Sequence, residues 1–354
     1  MSFFTRIFKH PAFIKITHWE FWSFGAVYSW VYPVWGWCCL RNRSLFFFNA
    51  SNPLIRNGGL LNESKSAIAK LIPISLQPKT LFYTLPANPT QILKDMEAHQ
   101  LNFPVMGKPD VGGRGRGVKK IHNSDELAFY ATHSSMDFHI QEFISYEKEL
   151  GVFYYRYPGV EKGAISGIVR KEFLTVTGDG QSTLQQLLTK DWRAMMYLDQ
   201  CKRMHAAILH NVLPEGKRFI VSPYGNHARG ALFLDDSHLI DDQLTDTIDR
   251  ICKQIPEFYF GRLDIRFDNW DDLRAGKNFL IIEVNGAGAE PTHMYDPKHS
   301  LFFAWKEIVR HWLIMSKISR LNHKRGVPYL SFKEGMEVFK EDKMWAEKLG
   351  RMPL

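Results

Sequence analysis

The chain has few cysteines, and none of them is spaced to hold a metal or form a redox pair. Its 354 residues include only Cys38, Cys39, Cys201 and Cys252, with no C-x-x-C pair. This composition argues against a disulfide-stapled fold and against a zinc site built on C-x-x-C pairs. Because the start of the chain also lacks a cleavable signal pattern, we expect a protein of the reducing cytoplasm.

The sequence also lacks the signatures of several common enzyme classes. It contains no G-x-x-x-x-G-K-[ST] loop and no dinucleotide fingerprint that opens a helix, which argues against two widespread phosphate-binding folds. No Ser/His/Asp or Cys/His pattern stands out either.

Charge is missing from residues 21–40, which hold eight aromatic side chains and are followed by Arg41 and Arg43. Twenty uncharged residues are long enough to span a bilayer, but Pro33, the glycines and the scarcity of Leu and Ile argue against a hydrocarbon environment. Trp and Tyr favour the membrane interface. Three readings stay open: peripheral membrane-surface association through residues 19–43, a buried helix packed on the domain, or a true span.

A glycine-rich basic loop is the most informative segment of the chain. Phe103 to Val118 joins a short strand that carries Lys108 to glycines 112, 113, 115 and 117, with Arg114 and Arg116 between them. Glycines let the backbone turn its N–H groups toward an anion, and the basic side chains add positive charge. The loop predicts a phosphate site; a glycine-rich hairpin with basic residues is the alternative.

Two alternating segments separated by a turn-rich insert predict a pair of antiparallel strands over residues 261–268 and 279–286. This pairing places Asp264 across from Glu283 and Asn285, which lie two residues apart and so share a face. Two carboxylates and an amide oxygen suit Mg²⁺, or Mn²⁺ in its place. The alternative is that these acidic residues are only solvated side chains at the ends of strands.

Together these motifs resemble the ATP-grasp superfamily of carboxylate–amine ligases over roughly residues 80–300. The resemblance implies that Lys108 reaches an ATP phosphate and that the glycine loop covers the phosphates. It also implies that Glu149 binds the ribose, with Glu147 as a competitor because the spacing is one residue longer than in D-alanine–D-alanine ligase. The implied adenine-contacting segment is Gln141, Glu142, Phe143 and Ile144.

The same resemblance extends to the acceptor side. Asn226 and Arg229 lie in a segment that lines the acceptor and phosphate region in such ligases, where His227 is either functional or an exposed loop imidazole. Arg262 occupies the position of an oxyanion-stabilising arginine, and Gly286 would add a backbone N–H. Glu63, after Gly58-Gly59, is either a substrate-side acid or a favourable charge at a helix start.

We therefore expect an α+β protein with the ATP-grasp fold, in which two α/β subdomains sandwich ATP. The expected function is activation of a carboxylate as an acyl phosphate and its attack by an amine; a hydroxyl, thiol or phosphoryl acceptor, or non-catalytic ATP binding, is the alternative. The expected partners are ATP and a small-molecule carboxylate and amine, not a nucleic acid, and the net charge of +8 fits a nucleotide or anionic lipid equally.

The expected division of the chain has five parts. They are an aromatic segment (1–41), a small α/β domain (42–100) with a strand at 45–50 and a helix near 63–71, a lid (101–160), a catalytic and metal-binding part (161–298) and C-terminal helices (299–354).

Overall fold

The computed structural model describes residues 11–113 and 115–352, and Arg114 lies outside them. Its helices are α1 Pro11–Thr17, α2 Phe24–Tyr28, α3 Tyr32–Asn42, α4 Lys65–Ala69, α5 Pro89–Ala98, α6 Ser124–His133, α7 Leu184–Lys190, α8 Trp192–Met196, α9 Leu198–Met204, α10 Asp242–Lys253, α11 Trp270–Arg274, α12 Leu301–Lys324 and α13 Phe332–Gly350. Its strands are β1 Thr80–Tyr83, β2 Val105–Pro109, β3 Lys119–Ile121, β4 Phe138–Glu142, β5 Lys148–Tyr155, β6 Ala164–Glu172, β7 Leu174–Thr177, β8 Arg218–Ser222, β9 Leu232–Asp235, β10 Phe260–Phe267 and β11 Phe279–Asn285. This mixture of helices and antiparallel sheets confirms the predicted α+β class.

A four-stranded antiparallel sheet, ordered β1-β4-β2-β3, forms the smaller half of the molecule. Helices α5 and α6 cover one of its faces and bury a core that includes Ile92, Leu127 and Tyr130. Asn88 and Asn123 cap these helices through their side chains. The opposite face is left to carry polar side chains such as Lys108.

A five-stranded antiparallel sheet, ordered β11-β10-β5-β6-β9, forms the larger half. Helix α10 begins at the N-cap Asp241 and presents an apolar stripe that includes Leu244 and Ile248. This stripe packs on Leu150 and Leu263 and closes the main core. Because side chains alternate along a strand, the neighbouring residues of β5 and β10 point away from this core.

A two-stranded ribbon, β7-β8, and helices α7 to α9 form a separate small cluster. Thr183 caps α7 in a reciprocal capping box with Gln186. Asp179 turns the chain before it by accepting bonds from Ser182 N and Ser182 Oγ at 2.6 and 2.8 Å. The segment Gly178-Asp179-Gly180 therefore forms a turn before α7.

The aromatic N-terminal segment folds into short helices that pack on α12. Val27, Tyr28, Cys38 and Cys39 are buried. The Trp305 indole of α12 donates to Val27 O at 2.8 Å. No helix among the described residues is both long enough and apolar enough to cross a membrane.

Two local predictions were wrong. Residues 45–50 do not form a strand, because Phe47–Ser51 is a 3-10 helix whose phenylalanines are buried in a cluster shared with α12. The helix expected near 63–71 is limited to α4, which begins after the N-cap Ser64. Both segments are shaped by packing partners far along the chain.

Some strands pair with strands that belong to a different part of the predicted domain division. Strand β1, in the predicted 42–100 part, pairs with β4, and β5, in the predicted 101–160 lid, pairs with β10 and β6. The division into domains stays a prediction.

Candidate active site between the two sheets

A cleft of about 950 Å³ lies between the polar faces of the two large sheets. The four-stranded sheet contributes Lys108 and the glycine loop, and the five-stranded sheet contributes β10 and β11. The predicted site residues that line the cleft are Lys108, Gly112, Gly113, Gly115, Arg116, Gln141, Glu142, Phe143, Ile144, Glu149, Asn226, Arg262, Asp264, Glu283 and Asn285. Motifs more than 100 residues apart in sequence thus face one space.

Lys108 projects from β2 and donates to Gln141 Oε1 at 2.6 Å. Burial lowers the pKa of Lys108 to about 8, although the nearby Glu283 carboxylate opposes the shift. Gln141 is fixed in turn by its bond to Thr80 Oγ1 at 2.9 Å. Strand pairing therefore places one cation, still mainly protonated at neutral pH, over the cleft.

The glycine loop adopts a conformation that only glycine takes readily. Gly115 and Gly117 have φ angles of 68° and 69°. A Cβ at position 117 would lie 2.6 Å from Pro109 Cγ. Arg116 is exposed at the cleft, whereas the predicted Arg114 lies outside the described residues.

The segment predicted to contact adenine is split by the fold. Gln141 and Glu142 lie within β4 and pair with β1 and β2, so their backbone groups take part in the sheet. Phe143 and Ile144 follow in the link to β5, and the Lys120 ammonium lies 3.8 Å from the Phe143 ring centroid. Phe143 and Ile144 therefore lie outside the strands, in a link that lines the cleft.

Ion pairs cover the cleft face of β10. Arg262 Nε and Lys171 Nζ lie 2.8 and 3.1 Å from the two carboxylate oxygens of Asp264. Burial raises the pKa of Asp264, but the two cations outweigh it and lower that pKa to about 2. A Cβ at Gly151 would lie 2.9 Å from Arg262 Cδ and 3.1 Å from Asp264 Oδ1, so glycine makes room for this pair.

Glu149, the predicted ribose acid, is also held by cations. Its oxygens accept from Lys171 Nζ at 3.0 Å and from Arg266 Nε at 2.9 Å. The carboxylate lies at the wall of the cleft, and a Cβ at Gly225 would lie 2.1 Å from it. Glu147, its competitor, does not line the cleft.

The three predicted metal ligands differ in how free they are. Asp264 and Glu283 are directly paired across β10 and β11, as predicted. The Glu283 carboxylate has no hydrogen-bond or ion-pair partner among the described residues, and the buried Asn285 Nδ2 has no partner there either. Both Asp264 oxygens are already bonded, and no group of three or more His, Cys, Asp or Glu within 11–113 and 115–352 is arranged to hold a metal. The Glu283 carboxylate fits Mg²⁺. Asn285 fits it only through Oδ1, because its unpartnered Nδ2 is a donor, and Asp264 fits only when its bonds to the cations open.

Gly286 N–H, predicted to serve an oxyanion, donates to Glu63 Oε1 at 2.6 Å. Burial raises the pKa of Glu63 to about 7, and the Glu283 carboxylate adds to the shift against the Gly286 bond. Glu63 precedes the N-cap of α4 and turns toward β11 instead of the helix start. The two glycine-rich segments 58–59 and 286–288 meet here, because Ala287 N donates to Gly58 O.

Asn226 and Arg229 lie opposite the glycine loop. Arg229 Nη1 donates to Val118 O at 2.9 Å and Gly115 O at 3.3 Å, and its guanidinium lies 3.5 Å from the Tyr224 ring centroid. It therefore holds the loop in place and does not line the cleft. Asn226 Oδ1 caps the following turn through Ala228 N.

His227 is tied to the N-terminal segment, which sequence reasoning did not connect to the site. Its Nε2 lies 2.8 Å from Glu20 Oε2, and Arg193 Nη2 reaches both Glu20 oxygens at 2.9 and 2.8 Å. Burial raises the pKa of Glu20, but His227 and Arg193 outweigh it. Phe21 and Trp22 then line one end of the cleft.

Lys171 and Arg266 are the other residues that the predicted site lacked. Alternation along β6 separates the two basic neighbours, since Arg170 bonds to Asp236 at 2.8 Å while Lys171 is buried in the cleft. The alternation of side chains along β6 was the sequence feature that could have predicted which of these two basic residues faces the cleft.

No family model matches the chain, and no curated protein matches it in sequence. Among solved structures, D-alanine–D-alanine ligase from Bacillus anthracis matches with a TM-score of 0.40 and 13% identity, over 79% of this chain and 70% of that one. VanG D-Ala:D-Ser ligase from Enterococcus faecalis matches with a TM-score of 0.39 and 14% identity, over 76% and 64%. A bifunctional glutathione synthetase from Pasteurella multocida matches with a TM-score of 0.38 and 11% identity; 71% of this chain spans only 35% of that enzyme. These are ligases or synthetases, as in the superfamily that the motifs resemble, but the likeness is distant.

Proposed function

We propose that this protein is an ATP-grasp ligase that activates a carboxylate with ATP and joins it to an amine, releasing ADP and phosphate. One observation carries the proposal: Lys108 and the glycine loop face Arg262, Glu283 and Asn285 across a single cleft. A phosphate chain has cations and backbone N–H groups on one side and oxygen donors for a metal on the other.

ATP would lie with its phosphates between the glycine loop and the ion-paired face of β10. Lys108 and Arg116 would offset phosphate charge, and Phe143 and Ile144 would contact the base. Mg²⁺, or Mn²⁺, would be held by Glu283 and Asn285, and when bound would neutralise charge on the phosphates. Lys171, which is bonded to Asp264 and Glu149, would add a further positive charge to this face of the cleft.

The proposed reaction has two steps. A carboxylate oxygen of the substrate attacks the γ-phosphorus, and the bond to the ADP oxygen breaks. The amine nitrogen then attacks the acyl carbon, the carbon–oxygen bond to phosphate breaks, and the amine loses a proton. Arg262 is the donor placed to stabilise the oxyanion that forms during this attack.

Glu63 is the carboxylate best placed to hold the amine or receive its proton. It lies between Gly286 and Glu283 at one wall of the cleft, and its pKa near 7 lets it exchange a proton at neutral pH. In the present arrangement it occupies the Gly286 N–H. Use of that N–H for an oxyanion therefore requires Glu63 to move.

Release of ADP, screened against carboxylic acids in pairs with amines, tests the proposal. The expected product has the summed mass of acid and amine less one water. With the acid labelled by ¹⁸O in its carboxylate, one ¹⁸O should appear in the released phosphate, because the acyl phosphate oxygen leaves with phosphorus. ADP formed together with a stable phosphorylated acceptor would instead establish phosphoryl transfer.

A further inference from the structure

The exposed surface of α3, its preceding turn and α12 is rich in aromatic and apolar side chains. Trp30, Trp37, Leu40 and Phe302 are 73%, 57%, 74% and 76% exposed. They lie outside the catalytic cleft, whose walls include none of them. An exposed group of large apolar side chains such as this one is typical of a surface that binds a protein or a membrane.

These side chains are held on a rigid base. The Trp30 and Phe302 rings lie 6.3 and 5.4 Å from the half-buried Trp305 ring, measured between centroids. Trp305 is itself anchored by its bond to Val27 O at 2.8 Å. The aromatic groups of both segments therefore face outward from one base.

A basic groove of about 680 Å³ adjoins the same two elements. Of the residues that the structure describes, its lining includes Val309 and Leu313 but no acidic side chain. The nearest acid on α12, Glu307, is buried and bonded to His293 and Arg310. The basic residues that line the groove are Arg41, Lys306, Arg310, Lys317 and Arg320.

We propose that this aromatic–basic face, formed by Trp30, α3 and the exposed stripe of α12, docks on an anionic lipid bilayer. Indole rings prefer the level of the headgroups, and basic side chains beside them attract anionic lipids. A second copy of the chain fits poorly, because a symmetric contact would bring the two basic grooves together, and juxtaposed like charges disfavour association. The short helices would lie on the membrane and not cross it.

Vesicle flotation of the full chain tests this proposal, with vesicles of phosphatidylcholine alone and of phosphatidylcholine mixed with phosphatidylglycerol. The charge variant is Lys306→Gln with Lys317→Gln, and the apolar variant is Trp30→Ser with Leu40→Ser. Matched controls change exposed residues elsewhere: Lys94→Gln with Lys277→Gln, and Ile74→Ser, whose side chain is 89% exposed. Circular dichroism checks that each variant is folded.

The full chain should float with the anionic vesicles and bind them less as salt rises. Each lysine removed should weaken binding about fivefold, and the apolar variant should weaken it at least about tenfold, with the controls unchanged. Absence of flotation with anionic vesicles, or equal losses in the controls, would overturn the proposal. So would a wild-type dimer in sedimentation equilibrium that the apolar variant converts to a monomer, because the face would then join two copies.

Discussion

At the residue scale, the site depends on buried charges that are paired with one another. Arg262 and Lys171 neutralise Asp264, and Lys171 with Arg266 neutralises Glu149. Removing one member of a buried pair leaves an uncompensated charge. Catalytic variants therefore need measurements that separate folding from chemistry.

Arg262→Ala should keep ATP binding and lose turnover, because its proposed partner is the oxyanion formed during amine attack. The expected fall in kcat is about 100-fold or more. Lys171 still pairs with Asp264 in this variant, so we expect it to fold. Near-normal kcat in a folded Arg262→Ala protein would contradict the role.

Glu283→Gln tests the metal side of the same face. The amide keeps the shape but removes the one carboxylate among the three predicted ligands that has no partner in the described chain. We expect ADP formation to fall strongly and the Mg²⁺ concentration needed for half-maximal rate to rise. An unchanged Mg²⁺ requirement would show that the metal lies elsewhere.

Glu63 should make the folded protein less stable as pH rises. Its pKa is raised to about 7 in the fold, against an ordinary value of 4.5. The folded state thus binds more protons between these values, and the free energy of unfolding decreases as pH rises from about 4.5 to 7.

Glu63→Gln should remove this pH-dependent decrease in the free energy of unfolding. We expect the decrease to be about 1–3 kcal/mol, because solvent near the cleft screens part of the interaction. Urea unfolding at pH 5 and pH 8 measures it in wild type and variant. A wild-type loss that Glu63→Gln leaves intact would assign the pH dependence to another group.

At the element scale, the C-terminal helix α13 supports the glycine loop. A Cβ at Gly112 would lie 2.5 Å from Leu349 Cδ1, and Ser135 Oγ donates to Lys348 O at 2.8 Å. Leu349 and Trp345 also line the cleft. The last turn of α13 therefore restricts where the loop can go.

Leu349→Ser should loosen that contact and raise KM for ATP severalfold while leaving the fold intact. The matched control is Met344→Ser, because Met344 lies on the same helix with 42% of its surface exposed. Steady-state kinetics against ATP compares the two. Equal KM values would mean that α13 does not influence the loop.

Sequence patterns predicted the elements whose signal is local. The alternation of residues 261–268 and 279–286 gave β10 and β11 almost to the residue and placed Asp264 opposite Glu283. The strand predicted at residues 45–50 was wrong, because a short apolar run in a buried 3-10 helix has the same sequence pattern as a buried strand. The ion pair between Lys171 and Asp264 links β6 to β10, which lie on either side of β5. No local sequence pattern predicts an ion pair between strands that are not neighbours.

At the scale of the whole molecule, the cleft exists because two antiparallel sheets turn their polar faces toward each other. Each sheet buries its other face under helices, α5 and α6 on one side and α10 on the other. The N-terminal segment contributes Glu20 and Phe21 to the wall of the cleft and Trp30 to the aromatic–basic face.

The most direct test of the central claim is calorimetric titration of ATP with Mg²⁺ into the wild-type protein and into Lys108→Ala, with Lys94→Ala as control. Lys94 is exposed on α5, away from the cleft. If ATP phosphates bind between the two sheets, wild type and control should bind with the same Kd, and Lys108→Ala should bind more than about tenfold more weakly, a loss of at least about 1.4 kcal/mol. A folded Lys108→Ala protein with wild-type affinity for ATP would contradict the account.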